Sequence, residues 1–561
     1  MTDFKTALIN DPRLAQITDQ QVFAVRQGAS NNTFQTFSAV SASSSGMIFN
    51  VQLPSESVVL SRDISLRASL TVSFKSGNEE LQYIENVALA PFPMAMGMQS
   101  ISSQINNSTV SLNLADILPQ LLCMNDIKDI NKYQGTCPTL RDDVYFDYND
   151  AQDVNNDPFG AMGSSGLEQF PESRGAYVID SFVRSAEKDG ANLWTYTLKF
   201  TVTEPIFLSP FIFGNPQYNL GGFVGINTLN LNCQFTSQPN RVFRVRNLGE
   251  WDIEQVSWGA PNNNDPFQGK KPVLLLNFLS SQSTQLIPSR QVLPYADFPR
   301  YITPYTAKGA GDTITLANIQ LNQLPDKFII AVRKKMSMQN PKDSDSFWTI
   351  DKVTVNLNNQ SGLLSSAEPE SLWRLSQEAG SQQSWTEFRG TTQTRHHPDM
   401  PSDKTEEPKY EPAPAIIQTI GSLLVLDPAM ALSLPPMISS GSIGQFSFNI
   451  SIQCHNNAVA KASGTQEVEA VVICMNSGIM VNAAGSSAIY TGILTKEMTI
   501  ATATESDVPP MDVPEYERMV GGKTGNYGAL KKMLSSKLGK MMRSGGAVSG
   551  GAHSGGVRRF V

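Results

Sequence analysis

The sequence predicts an all-β protein in which one β-sandwich is repeated in tandem. Three observations predict it: apolar residues recur at every second position in many short segments, helical signals are few, and two sets of landmarks return in the same order.

The first segment runs from Ile64 to Phe74, with Ile64, Leu66, Ala68, Leu70, Val72 and Phe74 in one phase and Ser, Arg or Thr between them. The same alternation runs through Trp194–Val202, Leu229–Phe235, Val353–Leu357 and Phe446–Cys454. Each predicts a half-buried antiparallel strand, and the loops between them are rich in Gly, Pro and Asn.

Two helices are predicted in matching places. Asp116 caps a short one with Pro119 in its first turn. Ser365 or Ser366 caps a longer one with Pro369 in its first turn, Leu372, Leu375 and Ala379 on one face, and Gly380 at its end. Each follows a strand that ends in paired asparagines, Asn106-Asn107 and Asn358-Asn359, 252 positions apart. These four residues are read as turn formers, since a short amide satisfies backbone groups in a turn; contact with a neighbouring chain is the other reading. A second correspondence follows. Glu204-Pro205 and Asp427-Pro428, 223 positions apart, each precede an alternating strand that closes on a cysteine, Cys233 and Cys454, 221 positions apart.

The expected division is an extended arm over 1–45, a first sandwich over 46–262, a second over 263–500, and a linker with a basic Gly/Ser-rich tail over 501–561. Long loops are expected at Asn149–Pro171 and Gly380–Pro414.

Composition excludes several classes. In 561 residues, 17 % are charged, 40 % are apolar, and there are 40 Gly and 33 Pro, which fits neither a coiled coil, a disordered chain nor a bundle of membrane helices. The opening Met1-Thr2-Asp3-Phe4-Lys5 starts no basic-then-apolar leader. Five scattered cysteines without a CxxC pair point to a reducing compartment rather than a disulfide framework or a zinc ribbon. From Lys523 onward there are eight basic residues and no acidic one, while residues 1–522 carry 35 basic against 51 acidic residues. Such a body does not grip nucleic acid over its main surface.

No catalytic residue, cofactor or metal site is expected. Gly522-Lys523-Thr524 mimics the end of a phosphate loop, but Glu517 stands where that motif needs glycine. Asp147, Asp150, Asp153 and Asp157 lack the alternation of a calcium loop, and His396-His397 have no local co-ligands. Cys233 and Cys454 fall on the apolar phase of their strands, the place of small core residues.

Three stretches then resemble one family. Phe49-Asn50-Val51-Gln52-Leu53-Pro54-Ser55-Glu56 is similar to the opening strand of double jelly-roll major capsid proteins of the polinton-like virus, virophage and adenovirus-related lineage. Leu324–Arg333 is similar to their second-half strand, and Leu357–Ser366, continuing through Leu372, Ser376 and Gly380 to Trp385, is the nearest resemblance. The stretches span roughly residues 45–460, in order. The resemblance implies two tandem eight-stranded jelly rolls with a few short helices in loops, and a non-enzymatic shell protein of the virion, assembled inside the host cell. It implies a homotrimer with a pseudo-hexagonal outline that tiles an icosahedral shell beside neighbouring capsomers, penton and minor capsid proteins. Phe159, Met162, Phe170, Trp385 and Phe388 are apolar loop residues expected at subunit contacts.

In the tail, Met519, Gly521, Gly522 and Lys523 resemble the Met/Leu/Ile-x-Gly-Gly-x site cut by adenovirus-type viral proteases. The lysine-rich segment after it has helical apolar spacing suited to a genome or inner-membrane contact. A Gly-rich linker with no cutter is the competing reading. Two other functions stay open at this stage: a tandem β-sandwich carbohydrate-binding or adhesion protein, and a β-sandwich glycoside hydrolase.

Overall fold

In the computed structural model the alternating segments are strands, and the apolar phase of each is the buried one. The structure describes residues 7–9, 23–25, 30–53, 58–62, 64–125, 130, 132–142, 177–212, 222–246, 253–281, 290–309, 311–395, 414–432, 434, 439–457, 466–483 and 485–492.

β1 (Ala7–Ile9) and β2 (Phe23–Val25) pair with each other. The first half holds β3 (Ser30–Ser38), β4 (Ser41–Ser43), β5 (Gly46–Gln52), β6 (Val58–Leu60), β7 (Ser65–Ser76), β8 (Val87–Leu89), α1 (Pro93–Met96), β9 (Met98–Ile105), β10 (Ser108–Leu112) and α2 (Leu114–Met124). It continues with β11 (Ser181–Arg184), β12 (Trp194–Pro205), β13 (Thr228–Phe235), β14 (Phe243–Val245), β15 (Ile253–Trp258) and β16 (Val273–Ser281). The second half opens with β17 (Arg290–Asp297), β18 (Arg300–Ala307), β19 (Gly311–Thr315), β20 (Ile319–Gln323), β21 (Lys327–Lys334), β22 (Thr349–Leu357) and β23 (Gln360–Leu363). After α3 (Pro369–Glu378) and α4 (Trp385–Arg389) come β24 (Thr391–Arg395), β25 (Pro414–Gln418), β26 (Leu424–Leu426), α5 (Pro428–Ala431), β27 (Ile443–His455), β28 (Gln466–Ala483) and β29 (Ser486–Thr491).

The two halves share one topology. In the first, β3-β16-β7-β12 and β5-β13-β9-β10 are the two sheets; numbered among themselves in chain order, these eight strands lie as 1-8-3-6 and 2-7-4-5. In the second, β17 with β18, then β28, β21 and β26 form one sheet, and β19 with β20, then β27, β22 and β23 form the other. The orders are again 1-8-3-6 and 2-7-4-5. Two Greek-key sheets of that order make an eight-stranded jelly roll, and the chain contains two.

Each roll is filled from its alternating faces. Leu66, Ala68, Leu70, Val72 and Phe74 of β7 meet Leu198, Phe200 and Val202 of β12 and Leu229, Leu231 and Cys233 of β13 in one core. Phe328 stacks on Phe448, centroids 4.3 Å apart, in the other. The sheet containing β21 and β28 is covered on both faces. Phe328, Ile330 and Val332 point into the second core, while Ile329 and Ala331 belong to the first. That double burial explains why β21 and the middle of β28 read as continuous apolar runs.

Several expectations are corrected. The arm expected over 1–45 contains β3, the first strand of the first roll, and β16, beyond the expected boundary at 262, is that roll's last strand. β3 escaped because its sequence is nearly all polar, and β16 because a run of leucines shows no period of two. Asn113, not Asp116, stands at the N-terminal boundary of α2, without a side-chain capping bond, so Asp116 is a first-turn residue and Pro119 lies inside the helix. Glu368, not Ser365 or Ser366, stands at the N-terminal boundary of α3, without a side-chain capping bond, though Leu372 and Ala379 are buried as expected. The loop expected from Gly380 to Pro414 begins with α4 and β24, so Trp385 and Phe388 are helix residues; Trp385 is half-buried with its ring 5.7 Å from that of Trp373, and Phe388 is fully buried. Phe159, Met162 and Phe170 lie outside the described residues.

Candidate functional site

The site that the fold builds is the seam between the two rolls. Every residue of α2 from Leu114 to Cys123 is buried. Asp116 sits in its first turn, where the helix dipole favours a carboxylate, and meets Arg300 of β18 and Arg333 of β21. Arg333 donates from Nη1 to the Asp116 carbonyl (2.9 Å) and from Nε to Glu469 (2.8 Å).

A second cluster lies beside it. Asp345, from the second half, accepts from Arg241 Nη2 at 2.8 Å and from Arg244 Nη2 at 2.7 Å. Arg244 also donates from Nε and Nη2 to Asp142 Oδ2, both 3.1 Å, and the Asp345 amide donates to the same oxygen at 2.9 Å. Arg244 and Asp142 are essentially without solvent access. Arg141 reaches across to Glu387 at 2.6 Å. A buried ion pair adds little net stability, but losing one partner strands the other charge. Such a seam therefore selects one register between the rolls and penalises every other.

The paired asparagines do the same job twice. Asn106 and Asn358 each turn a hairpin with φ +51°, β9 to β10 and β22 to β23. Asn106 donates its amide to the Thr228 carbonyl, and its Oδ1 accepts from the Asn227 and Thr228 amides. Asn358 donates to the Ser447 carbonyl and its Oδ1 accepts from the Ser447 amide at 2.8 Å. Each clamps the turn to the neighbouring strand, β13 or β27. The first turn does more: Asn106 Nδ2 donates to Gly225 O and Ser487 Oγ, and Asn107 Oδ1 accepts from the Ser487 amide at 2.6 Å, which ties it to the second half. Asn359 is exposed. Asn358→Leu is expected to cost about 1–2 kcal/mol, from a left-handed φ that crowds the leucine Cβ and one lost clamp at an exposed turn. A thermal melt of the purified variant checks it; an unchanged midpoint would contradict the clamp.

The acidic residue before each duplicated proline serves a helix start. Asp427 Oδ1 accepts from the Ala429 amide of α5. Glu204, fully buried, accepts from the Met94 and Ala95 amides of α1, each at 2.8 Å. Burial pushes its carboxyl from the ordinary 4.5 up to about 8, against the two amide bonds that pull it down. A raised carboxyl binds its proton more tightly when folded. Its contribution to stability is therefore full below about pH 4.5 and is lost as pH rises through about 8. Melts from pH 5 to 9 should fall more steeply for wild type than for Glu204→Gln; parallel curves would refute the assignment.

Cys233 and Cys454 are free, buried and held protonated by burial, Cys454 at about 12. Among the described residues no group of His, Cys, Asp and Glu is arranged to hold a metal ion. Met519, Gly521, Gly522 and Lys523, His396-His397 and the Asp147–Asp157 run lie outside the described residues. Sequence reading missed Arg241, Arg244, Arg333 and Asp345. The available signal was charge set among buried apolar residues, as in Val242-Phe243-Arg244-Val245.

Two family descriptions match the chain. The Sputnik virophage major capsid protein first domain covers residues 2–279, and the major capsid protein V20 C-terminal domain covers residues 298–478; together they take in well over half of the chain. The stretch between them, 280–297, runs from the end of β16 through β17. Capsid protein V20 of Sputnik virophage is 24 % identical over 533 residues, spanning 92 % of this chain and 84 % of that protein. The cryo-EM structure of Sputnik virophage superposes with a TM-score of 0.70 at 22 % identity, over 91 % of this chain and 98 % of that one. The crystal structure of the mavirus major capsid protein gives 0.62 at 14 % identity, over 83 % and 92 %. The fold they share with this chain is two jelly rolls in tandem.

Proposed function

The chain belongs to the Sputnik virophage major capsid protein family and is a structural protein of the virion shell, and from that premise we propose that it works as a homotrimer with a pseudo-hexagonal outline. The observation that supports this is the repetition of one topology within one chain. Two similar rolls per subunit give three subunits six similar sides, which pack hexagonally. The seam matters because a tile must keep both rolls in one fixed relation. Its role requires no catalysis. Neighbouring capsomers are its first partners, and penton and minor capsid proteins complete the shell. Light scattering on the purified chain tests the trimer: a mass three times 61.2 kDa supports it, and a stable monomer at micromolar concentration overturns it.

We also propose that the tail is cut after Gly522 by a viral protease, and that before cutting it contacts genome or membrane on the inner side. Two glycines let an extended backbone enter a narrow cleft. Intact-mass measurement on mature particles decides this. A chain ending at Gly522 supports processing, and one reaching Val561 rejects it.

A further inference from the structure

One sheet in each roll has an outward face with almost no charge. In the first roll, β4, β5, β9, β10 and β13 contain no Asp, Glu, Lys, Arg or His at all, in a chain that is 17 % charged. Their inward positions fill the core, and their outward ones are Ser, Thr, Asn and Gln, with Ile48 also exposed at 46 %. The equivalent sheet of the second roll repeats the pattern. Its charges, Asp312, Asp351, Lys352 and His455, gather at one end, where Asp351 and His455 pair at 2.7 Å. The rest of that face is again amide and hydroxyl, with Ile443 exposed at 70 %. Lack of charge is not a general feature of these sheets. The first roll's other sheet carries Arg67, Lys75, Arg184 and Lys199 on β7, β11 and β12.

We propose that these two neutral faces are where one copy of the chain meets another in the shell, an inference that rests on the capsid reading. Copies with a net charge of −8 repel one another at long range, and the approach that adds no like-charge contact is through a face that has none. Amides and hydroxyls each donate and accept, so such a face satisfies a copy of itself, as a charged face cannot. Depletion of charge at the centre is also what distinguishes protein interfaces from ordinary surface. The two faces occupy the same place in the two rolls, so any of the six sides of a trimer can meet any side of its neighbour.

The test places charge on both faces of the full chain. Asn50 on β5 and Gln320 on β20 are exposed and occupy matching strands, opposite Asn230 of β13 and Ser447 of β27. One form carries Asn50→Lys with Gln320→Lys; the other carries Asn50→Glu with Gln320→Glu. Each form should melt like wild type and remain a capsomer, with particle yield by electron microscopy down about tenfold or more, since like charges brought face to face are strongly disfavoured. Mixing the two forms should restore particles. Particles from either form alone, or none from the mixture, would overturn the assignment of the face. Wild-type protein that forms no particles under the same conditions would instead remove the capsid reading, and the inference with it.

Discussion

Asp345→Ala should lower the free energy of unfolding by about 3–5 kcal/mol, the range for breaking a buried ion pair from one side. The carboxylate stands between Arg241 and Arg244, whose side chains are 7 % and 2 % exposed, and neither has water to turn to. Asp142 still accepts from Arg244, so the residue most exposed to the loss is Arg241, whose remaining contacts are the Ala115 carbonyl and the Met96 sulfur. Because Asp345 comes from the second roll and both arginines from the first, the variant also frees the register between rolls. The comparison is Arg374→Ala, which removes an exposed i,i+4 pair with Glu370 and should cost no more than about 0.5 kcal/mol. Urea titration of both variants gives the answer. Equal midpoints would mean that the seam is not where the rolls are locked.

Asn106→Leu should cost about 3–5 kcal/mol, clearly more than the same change at Asn358, although both turns have φ +51°. The left-handed backbone penalises leucine equally at the two sites. The difference is burial and partners. Asn106 is 8 % exposed and its side chain serves the Asn227 and Thr228 amides, the Gly225 carbonyl and the Ser487 hydroxyl, so its removal strands buried polar groups on both rolls. Asn358 is exposed, and its amide oxygen serves the single amide of Ser447. Thermal melts of the two variants side by side check the ranking; equal losses would show that the backbone conformation alone sets the cost.

What was legible in the sequence follows from which faces are buried. β7, β12, β13, β22 and β27 have one face in a core and one outside, and their period of two is plain. β21 was found only through its resemblance to a family strand, and nothing in its apolar run tells that its second face covers the other roll. β3 offers only Phe34 and Phe37 among polar residues, and Phe34 is 78 % exposed, so its place depends on pairing with β16 across more than two hundred residues. The paired asparagines were visible because the duplication repeats them. The ionic seam was not, since Arg244 meets Asp142 and Asp345 at separations of 102 and 101 residues, and no local pattern links them. Chain pairing at that distance is decided by the whole fold.

We propose that each chain supplies two like rolls locked as one unit, and that three such chains make a hexagonal tile. Electron microscopy of the purified full chain tests it most directly. The expected particles have three-fold symmetry and six lobes of nearly equal size, two per subunit. Single two-lobed particles, or oligomers of any other symmetry, would contradict it.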